Sequence, residues 1–195
     1  MAWAINVVAL CVIFHLIVAN NEHKSPLEVF KHPKDITSLF KVGKTYYEAA
    51  STVRRGPLEF PRYDSYCGEV RVKTAAPIII EKRFLYYARG SWHWLKANYS
   101  VSIQTDSTGQ EARNYAAVTS MHEMKTLVQT LYLLWLENDT CALLYNNHTG
   151  DCESWEFSRH PLKEIGQSDC SKLTVVCRKR SSIRYLEQCY THYVN

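Results

Sequence analysis

Glycine is scarce in this chain, and the glycine-containing motifs of several enzyme classes are missing. Only 7 of the 195 residues are glycine. The sequence has no phosphate-binding glycine loop, no Gly-x-Ser-x-Gly turn and no His-Glu-x-x-His motif. No His/Cys cluster has the spacing of zinc ligands, and pairs such as His122-Glu123 are too common to indicate catalysis. We therefore expect a protein that is not an enzyme and holds no cofactor or metal.

A large excess of one charge is also lacking. The chain carries 23 Lys and Arg against 19 Asp and Glu, a net charge of +4. This excess is modest beside the strongly basic surface of a nucleic-acid binder. The cluster Arg178-Lys179-Arg180 could meet an anionic surface, but basic clusters are usually just solvated. We expect no nucleic-acid partner.

The first 20 residues contain no acidic or basic side chain, and residues 7–18 are apolar apart from His15. A membrane-spanning helix needs about 20 consecutive apolar residues, and this run is shorter and interrupted. It predicts a signal peptide over residues 1–19, followed by a single domain over residues 20–195, although no Lys or Arg precedes the apolar core. Cleavage removes Cys11 and leaves an even number of cysteines.

Cysteines and glycosylation sequons then indicate the compartment. Three Asn-x-Ser/Thr sequons lie at Asn98, Asn138 and Asn147. Disulfides persist in oxidising compartments and glycans are added in the secretory route, so the combination predicts a secreted, extracellular protein without membrane contact after cleavage. The remaining cysteines are better interpreted as disulfides than as metal ligands: Cys67, Cys141, Cys152, Cys170, Cys177 and Cys189.

Period-two, β-branched and aromatic segments recur through the middle of the chain, separated by short turns such as Arg89-Gly90-Ser91. They predict eight strands, at 45–53, 66–73, 78–88, 92–103, 114–120, 126–136, 141–145 and 152–157. Strands at this spacing are typical of a barrel or a sandwich. We favour an antiparallel up-and-down barrel because closure removes exposed strand edges.

Two short helices are expected to flank the strands. Asp35 can cap a short helix that buries Ile36, Leu39 and Phe40. After residue 157 the strand pattern weakens, and Pro161 occupies a position typical of the first turn of a helix. We expect this C-terminal helix to pack on the outside of the barrel.

One segment carries a family resemblance. Cys141-Ala142-Leu143-Leu144-Tyr145, followed by Asp151-Cys152-Glu153-Ser154-Trp155 and by Cys170, resembles the tick salivary lipocalins, the histamine-binding protein family. The resemblance implies an eight-stranded lipocalin barrel with disulfides Cys67–Cys189 and Cys141–Cys170, which leaves Cys152 for Cys177. Amine-binding members usually have Asp where this chain has Ala142, and Ser154 replaces their usual Leu.

Glu153 and Trp155 are two residues apart on a predicted strand and so point to the same face, which the resemblance places at the cavity. The alternative is a core Trp155 and an outward Glu153. Aromatic residues on two earlier strands are further ligand-binding candidates: Tyr86, Trp92 and Trp94. Since His93 lies between the two tryptophans, either they or the histidine face the cavity.

Two ligand classes fit the residues. A buried amine needs a carboxylate and gains from an aromatic face. An acidic lipid needs an apolar tunnel with a cation at its mouth. The basic residues near predicted strand ends are Arg54, Arg55, Arg71, Lys73, Arg89 and Arg113.

The sequence therefore supports two functional hypotheses. In the first, a monomeric barrel sequesters a small host inflammatory mediator, either an amine such as histamine or serotonin or a lipid such as a leukotriene. In the second, the barrel is a scaffold whose loops inhibit a host protein such as a complement component, a protease or a cytokine. The first predicts convergent polar groups in a cavity, and the second a contact patch on the loops.

Overall fold

The computed structural model describes residues 24–30, 34–53, 64–106, 113–122, 125–137, 139–159, 161, 164 and 166–191, with the side chains of Arg113 and Thr191 left aside. The predicted signal peptide, residues 1–19, lies outside the described residues. Within the described residues no helix is long and apolar enough to cross a membrane.

Strands account for most of the described chain, as the alternating pattern predicts. Their bounds are β1 Thr45–Ser51, β2 Ser65–Ala75, β3 Ile78–Ala88, β4 Ser91–Asp106, β5 Arg113–Ser120, β6 Leu127–Glu137, β7 Cys141–Asn146, β8 Asp151–Glu156 and β9 Ser182–Ile183. The first eight coincide with the predicted strands to within a few residues at each end. The two-residue β9 is not predicted from the sequence.

The sheet closes on itself. Each strand from β2 to β7 pairs antiparallel with the next along the chain, β8 pairs with β1, and β1 also pairs with β2 and with β9. The closing contact is short, since Thr45, Tyr46 and Tyr47 pair with Arg71, Val70 and Glu69. This topology is the eight-stranded antiparallel, lipocalin-like barrel that the sequence predicts.

Alternation along the strands divides the side chains between two faces. The inward face carries the largest apolar cluster, in which every strand from β1 to β8 has a residue. Its buried members include Tyr46, Val70, Val72, Ile80, Ala97, Tyr99, Val101, Ala116, Val118, Leu131, Leu133, Ala142, Leu144 and Trp155. The barrel therefore has an apolar interior in which any polar group stands out.

The expected N-terminal helix is confirmed and covers one end of the barrel. It is a 3₁₀ helix, Ile36–Leu39, whose Thr37 backbone N–H donates to the Asp35 side chain at 3.0 Å. Ile36 and Leu39 join the inner apolar cluster. Before it lies α1, Pro26–Val29, begun by a capping box at Ser25.

A C-terminal helix packs on the outer face, but it begins later than predicted. The described residues after Pro161 make turns, with the Glu164 N–H donating to the Pro161 carbonyl at 2.8 Å, and Gly166 has φ +75°. This left-handed residue stops a continuous helix. The helix α2, Asp169–Leu173, starts only after Ser168, whose hydroxyl accepts the Ser171 N–H.

The disulfides are the three pairs that the resemblance implies, Cys67–Cys189, Cys141–Cys170 and Cys152–Cys177. The second joins β7 to α2, and the third joins β8 to the 3₁₀ helix Thr174–Cys177 that follows. The first ties β2 to α3, Gln188–Thr191, across 122 residues of sequence. We call residues 182–191, which include β9 and α3, the C-terminal strap.

Removing the Cys67–Cys189 pair with serines should lower the free energy of unfolding by about 2–5 kcal/mol, because it frees the longest loop in the unfolded chain. Denaturant unfolding monitored by circular dichroism measures the loss. Replacing Cys152 and Cys177, which are 25 residues apart, is the matched control and should cost less. An equal or smaller loss for the Cys67–Cys189 variant contradicts this role of the strap.

Candidate functional site

Polar side chains converge at one place inside the barrel. On β3, Lys82 lies between Ile80 and Phe84 on the inward face, and only 6% of its surface is exposed. Glu153, on β8, has the same orientation as its neighbour Trp155 and is 4% exposed. Buried charges of this kind are tolerated only when they are paired and hydrogen-bonded.

A network of short contacts satisfies these groups. Lys82 Nζ donates to Gln129 Oε1 at 2.5 Å, and Gln129 Nε2 donates to Glu153 Oε1 at 2.7 Å. Trp155 Nε1 donates to Glu153 Oε2 at 3.0 Å. The lysine ammonium also lies 3.9 Å from Glu153 Oε2 and 5.7 Å from the centre of the Trp155 ring. The network joins β3, β6 and β8 across the interior.

A second carboxylate, Glu48 on β1, lies beside this network. Its strand neighbour is Trp155, with which it is paired in the sheet. Gly68 on β2 makes room for it, because a Cβ at that position would lie 2.6 Å from Glu48 Oε2 and 2.8 Å from its Cβ. A side chain at position 68 would therefore push Glu48 out of its place.

The surroundings of Glu48 favour its neutral form. Burial, and after it the negative charge of Glu153, raise the pKa of Glu48 to about 7. The positive charges of Arg184 and Lys82 and a hydrogen bond with Ser51 act in the opposite direction. Glu48 consequently titrates near neutral pH, and the charge of the interior changes with it.

The second cation comes from the C-terminal strap. The Arg184 N–H donates to the Ala49 carbonyl at 2.9 Å, and its carbonyl accepts the Cys67 N–H at 2.7 Å, so the strap runs between β1 and β2. Ile183 is 46% exposed on the outer side, whereas Arg184 is only 4% exposed. Alternation therefore turns Arg184 toward the interior, where its charge acts on Glu48.

Some side chains on the inward face keep contact with solvent. Three residues on the inward face, Glu48, Leu95 and Gln129, are only half-buried. A half-buried side chain on that face borders space that water can enter. Solvent therefore reaches part of the polar surface near Lys82 and Glu153.

Two of the predicted site residues, Glu153 and Trp155, are brought together as expected, both facing inward. Tyr86 is also on the inward face, because it has the same phase along β3 as Lys82, and its ring lies 5.5 Å from that of its partner His93. It lies two strand positions beyond Phe84, away from the polar network. The histidine, and not the two tryptophans, is the inward residue of β4 there.

Trp92 and Trp94 face outward, which corrects their expected place in the cavity. They pair with Tyr87 and Leu85, which alternate with the inward residues of β3. Both belong to an outer apolar cluster around the Cys67–Cys189 disulfide. The sequence could not fix the phase of this strand, because aromatic residues here pack against the strap as readily as against a core.

An outer ionic cluster explains this packing. Glu69 accepts hydrogen bonds from Arg83 Nε at 2.7 Å and from Arg159 Nη2 at 2.5 Å. The Arg83 guanidinium lies 4.7 Å from the centre of the Trp94 ring, and that of Arg159 lies 5.1 Å from the Tyr47 ring. These contacts secure the wall of the barrel beneath the strap.

Two of the three sequons lie on the surface of the described structure. Asn98 on β4 is exposed and points outward, and Asn147 is exposed in the turn between β7 and β8. Asn138 lies outside the described residues. Ser154 faces outward and hydrogen-bonds Ser171 of α2 at 3.0 Å.

The predicted rim cations do not enter the interior where the structure describes them. Arg71 alternates with the inward Val70 and Val72, and Lys73 and Arg89 are exposed. Arg54 and Arg55 lie outside the described residues, as does the side chain of Arg113. The interior cations are instead Lys82 and Arg184.

Sequence reasoning missed four interior polar residues, Glu48, Lys82, Gln129 and Arg184. A usable signal existed for Lys82, since Ile80 and Phe84 flank it at two-residue spacing and mark the buried face of β3. Glu48 shares its phase with the buried Tyr46 in the same way. No local signal marks Arg184, because the strap places it through distant contacts.

Comparison with known proteins assigns no family. No protein-family model and no curated protein matches the chain. Among solved structures, it is similar to one titled as the crystal structure of AM182 in complex with serotonin. The TM-score is 0.46 and the identity 15%, over 82% of this chain and 95% of that one. The fold assignment therefore rests on the strand pairing of the chain itself.

The titration of Glu48 should be visible in protein stability. In the unfolded chain its pKa is near the ordinary 4.5, whereas in the fold it is about 7. Between these values the unfolded state has lost the proton and the folded state keeps it, so stability falls as pH rises through this window. Relative to Glu48→Gln, the wild type should lose about 2–3 kcal/mol between pH 4.5 and pH 8.

Urea unfolding of both proteins across this pH range measures the difference, and groups that do not interact with Glu48 cancel. Glu81→Gln, a change on the outward face of β3, is the matched control and should follow the wild-type profile. Parallel profiles for wild type and Glu48→Gln would show that the Glu48 pKa is not raised.

Proposed function

We propose that this protein is a secreted barrel that binds and sequesters a small inflammatory mediator of a host, either a biogenic amine such as histamine or serotonin or an acidic lipid such as a leukotriene. The single observation that carries the proposal is the polar network of Glu153, Lys82 and Gln129 inside an otherwise apolar barrel. Convergent polar groups in a largely apolar enclosure are typical of small-ligand sites.

The energetics support the same proposal. Burying an ion pair costs several kcal/mol per ion in lost hydration, which the attraction between the ions repays only with good geometry. A barrel that needed stability alone would do as well with apolar side chains at positions 82 and 153. Gln129 in the network and Glu48 beside it are only half-buried, so solvent reaches this part of the interior.

Secretion is part of the proposal. Three disulfides and two exposed sequons, Asn98 and Asn147, agree with an oxidising extracellular environment. A sequestering protein needs no turnover, which agrees with a chain for which we propose no catalysis. We propose that it acts as a monomer and that its partner is the small molecule.

Calorimetric titration with histamine, serotonin, a leukotriene and a fatty acid tests this function. If the amine class is right, Glu153→Gln should weaken amine binding about 10- to 100-fold, because it removes the carboxylate that pairs with the ammonium, while lipid binding stays nearly unchanged. Glu81→Gln is the control, since that side chain faces outward, and it should bind like the wild type.

Absence of heat with all four ligands, for a protein shown to be folded and oxidised, contradicts the proposed function. The barrel would then be a scaffold for inhibiting a host protein. Equal loss of amine and lipid binding in Glu153→Gln would instead show that Glu153 supports the barrel and does not select the ligand.

A further inference from the structure

The guanidinium group of Arg184 presents one free edge inside the protein. Its Nη1 donates to the Ser65 carbonyl at 3.2 Å. Its Nε and Nη2 are buried and have no hydrogen-bond partner among the described residues. These two nitrogens form one edge of the planar group, with parallel N–H bonds that match the two oxygens of a carboxylate.

A buried cation with two unused donors needs a reason. An unsatisfied buried donor costs about 1–3 kcal/mol, and more when it is charged. The positive charge of Arg184 lowers the pKa of Glu48, yet the Glu48 side chain is hydrogen-bonded to Ser51. The free edge of Arg184 therefore keeps two donors without an acceptor in the described part of the chain, and an anionic group that enters the barrel must displace neighbouring side chains to reach them.

The place that an amine would take is already filled. A bound ammonium group would need a carboxylate, an acceptor oxygen and an aromatic face. Lys82 Nζ has all three, with Glu153 Oε2 at 3.9 Å, Gln129 Oε1 at 2.5 Å and the Trp155 ring centre at 5.7 Å. An incoming amine must displace this internal ammonium.

The balance of charge in the interior agrees with the unused donors of Arg184 and with the ammonium group of Lys82 beside Glu153. Glu48 and Glu153 offset Lys82 and Arg184 when all four are ionised. An added cation leaves the interior with a net positive charge, whereas an added anion is favoured whenever Glu48 is neutral. The apolar residues of the inner cluster suit the hydrocarbon part of such a ligand.

We propose that the barrel selects an amphipathic carboxylate, held by the free edge of Arg184, and that Lys82 excludes amines by occupying their place beside Glu153. This inference rests on the proposed function, because it names the ligand class of the same interior site. It also assigns a binding role to the C-terminal strap, which carries Arg184.

Three ligands separate the possibilities in calorimetric titration: arachidonate, arachidonyl alcohol with the same chain but no charge, and serotonin. The wild type should bind arachidonate about 10- to 100-fold more tightly than the alcohol. Arg184→Gln should abolish this preference and leave the affinity for the alcohol unchanged. Arg71→Gln, a change on the outward face of β2, is the control and should keep the preference.

A second variant tests the amine side of the inference. Lys82→Met keeps an unbranched side chain as far as Cε and removes the ammonium group, so serotonin should gain at least about tenfold in affinity by pairing with Glu153. If Arg184→Gln does not fold, Arg184→Lys retains the charge without the two-pronged edge, and it should lose most of the preference for arachidonate.

Equal binding of arachidonate and the alcohol by the wild type overturns the inference while leaving the proposed function intact. So does unchanged preference in Arg184→Gln, or a wild type that binds serotonin more tightly than arachidonate. If none of the three ligands binds to the folded wild type, the inference and the lipid and serotonin forms of the proposed function fail together.

Discussion

Closure between β1 and β2 is the constraint on which the rest of the structure depends. The two strands pair directly at only three positions, and beyond them the C-terminal strap bridges the gap through the backbone of Arg184. The bridge spans the part of the seam where Gly68 lies close to Glu48. It also places a side chain from the end of the chain in the interior, beside groups carried by β1, β3 and β8.

Contacts on the outer face of the barrel hold the C-terminal strap, while its Arg184 side chain points into the interior. Its cysteine is bonded to Cys67, and its Tyr185 packs against Tyr47, with Arg159 lying over both rings. Arg159 is in turn bound by Glu69 on β2. These outer contacts hold the strap after Arg184, and the hydrogen bond from its Nη1 to the Ser65 carbonyl holds the guanidinium. An unpaired buried donor is tolerable where the surroundings hold it.

Much of the fold follows from local pattern, and much of the site does not. Period-two alternation predicted β3 at its observed bounds, and Glu153 and Trp155 share a face because two residues make one strand repeat. The phase of Trp92 and Trp94 was undetermined, since a strand covered on both sides has apolar residues on both faces. Lys82 could have been found from its apolar flanks, but Arg184 lies inside only because distant segments fold over the seam.

The buried ions of the interior also bear on whether this site contributes stability or another property. Replacing a buried ion pair with apolar side chains of similar volume is often neutral or stabilising, whereas removing one partner is costly. Lys82 and Glu153 are therefore a poor source of stability, and in the proposed function they discriminate between ligands, since a ligand must either match the pair or break it. Glu48, with a pKa near neutral, adds a dependence on proton concentration to that discrimination. In the proposed function, selectivity thus arises from groups that burial makes sensitive to every added charge.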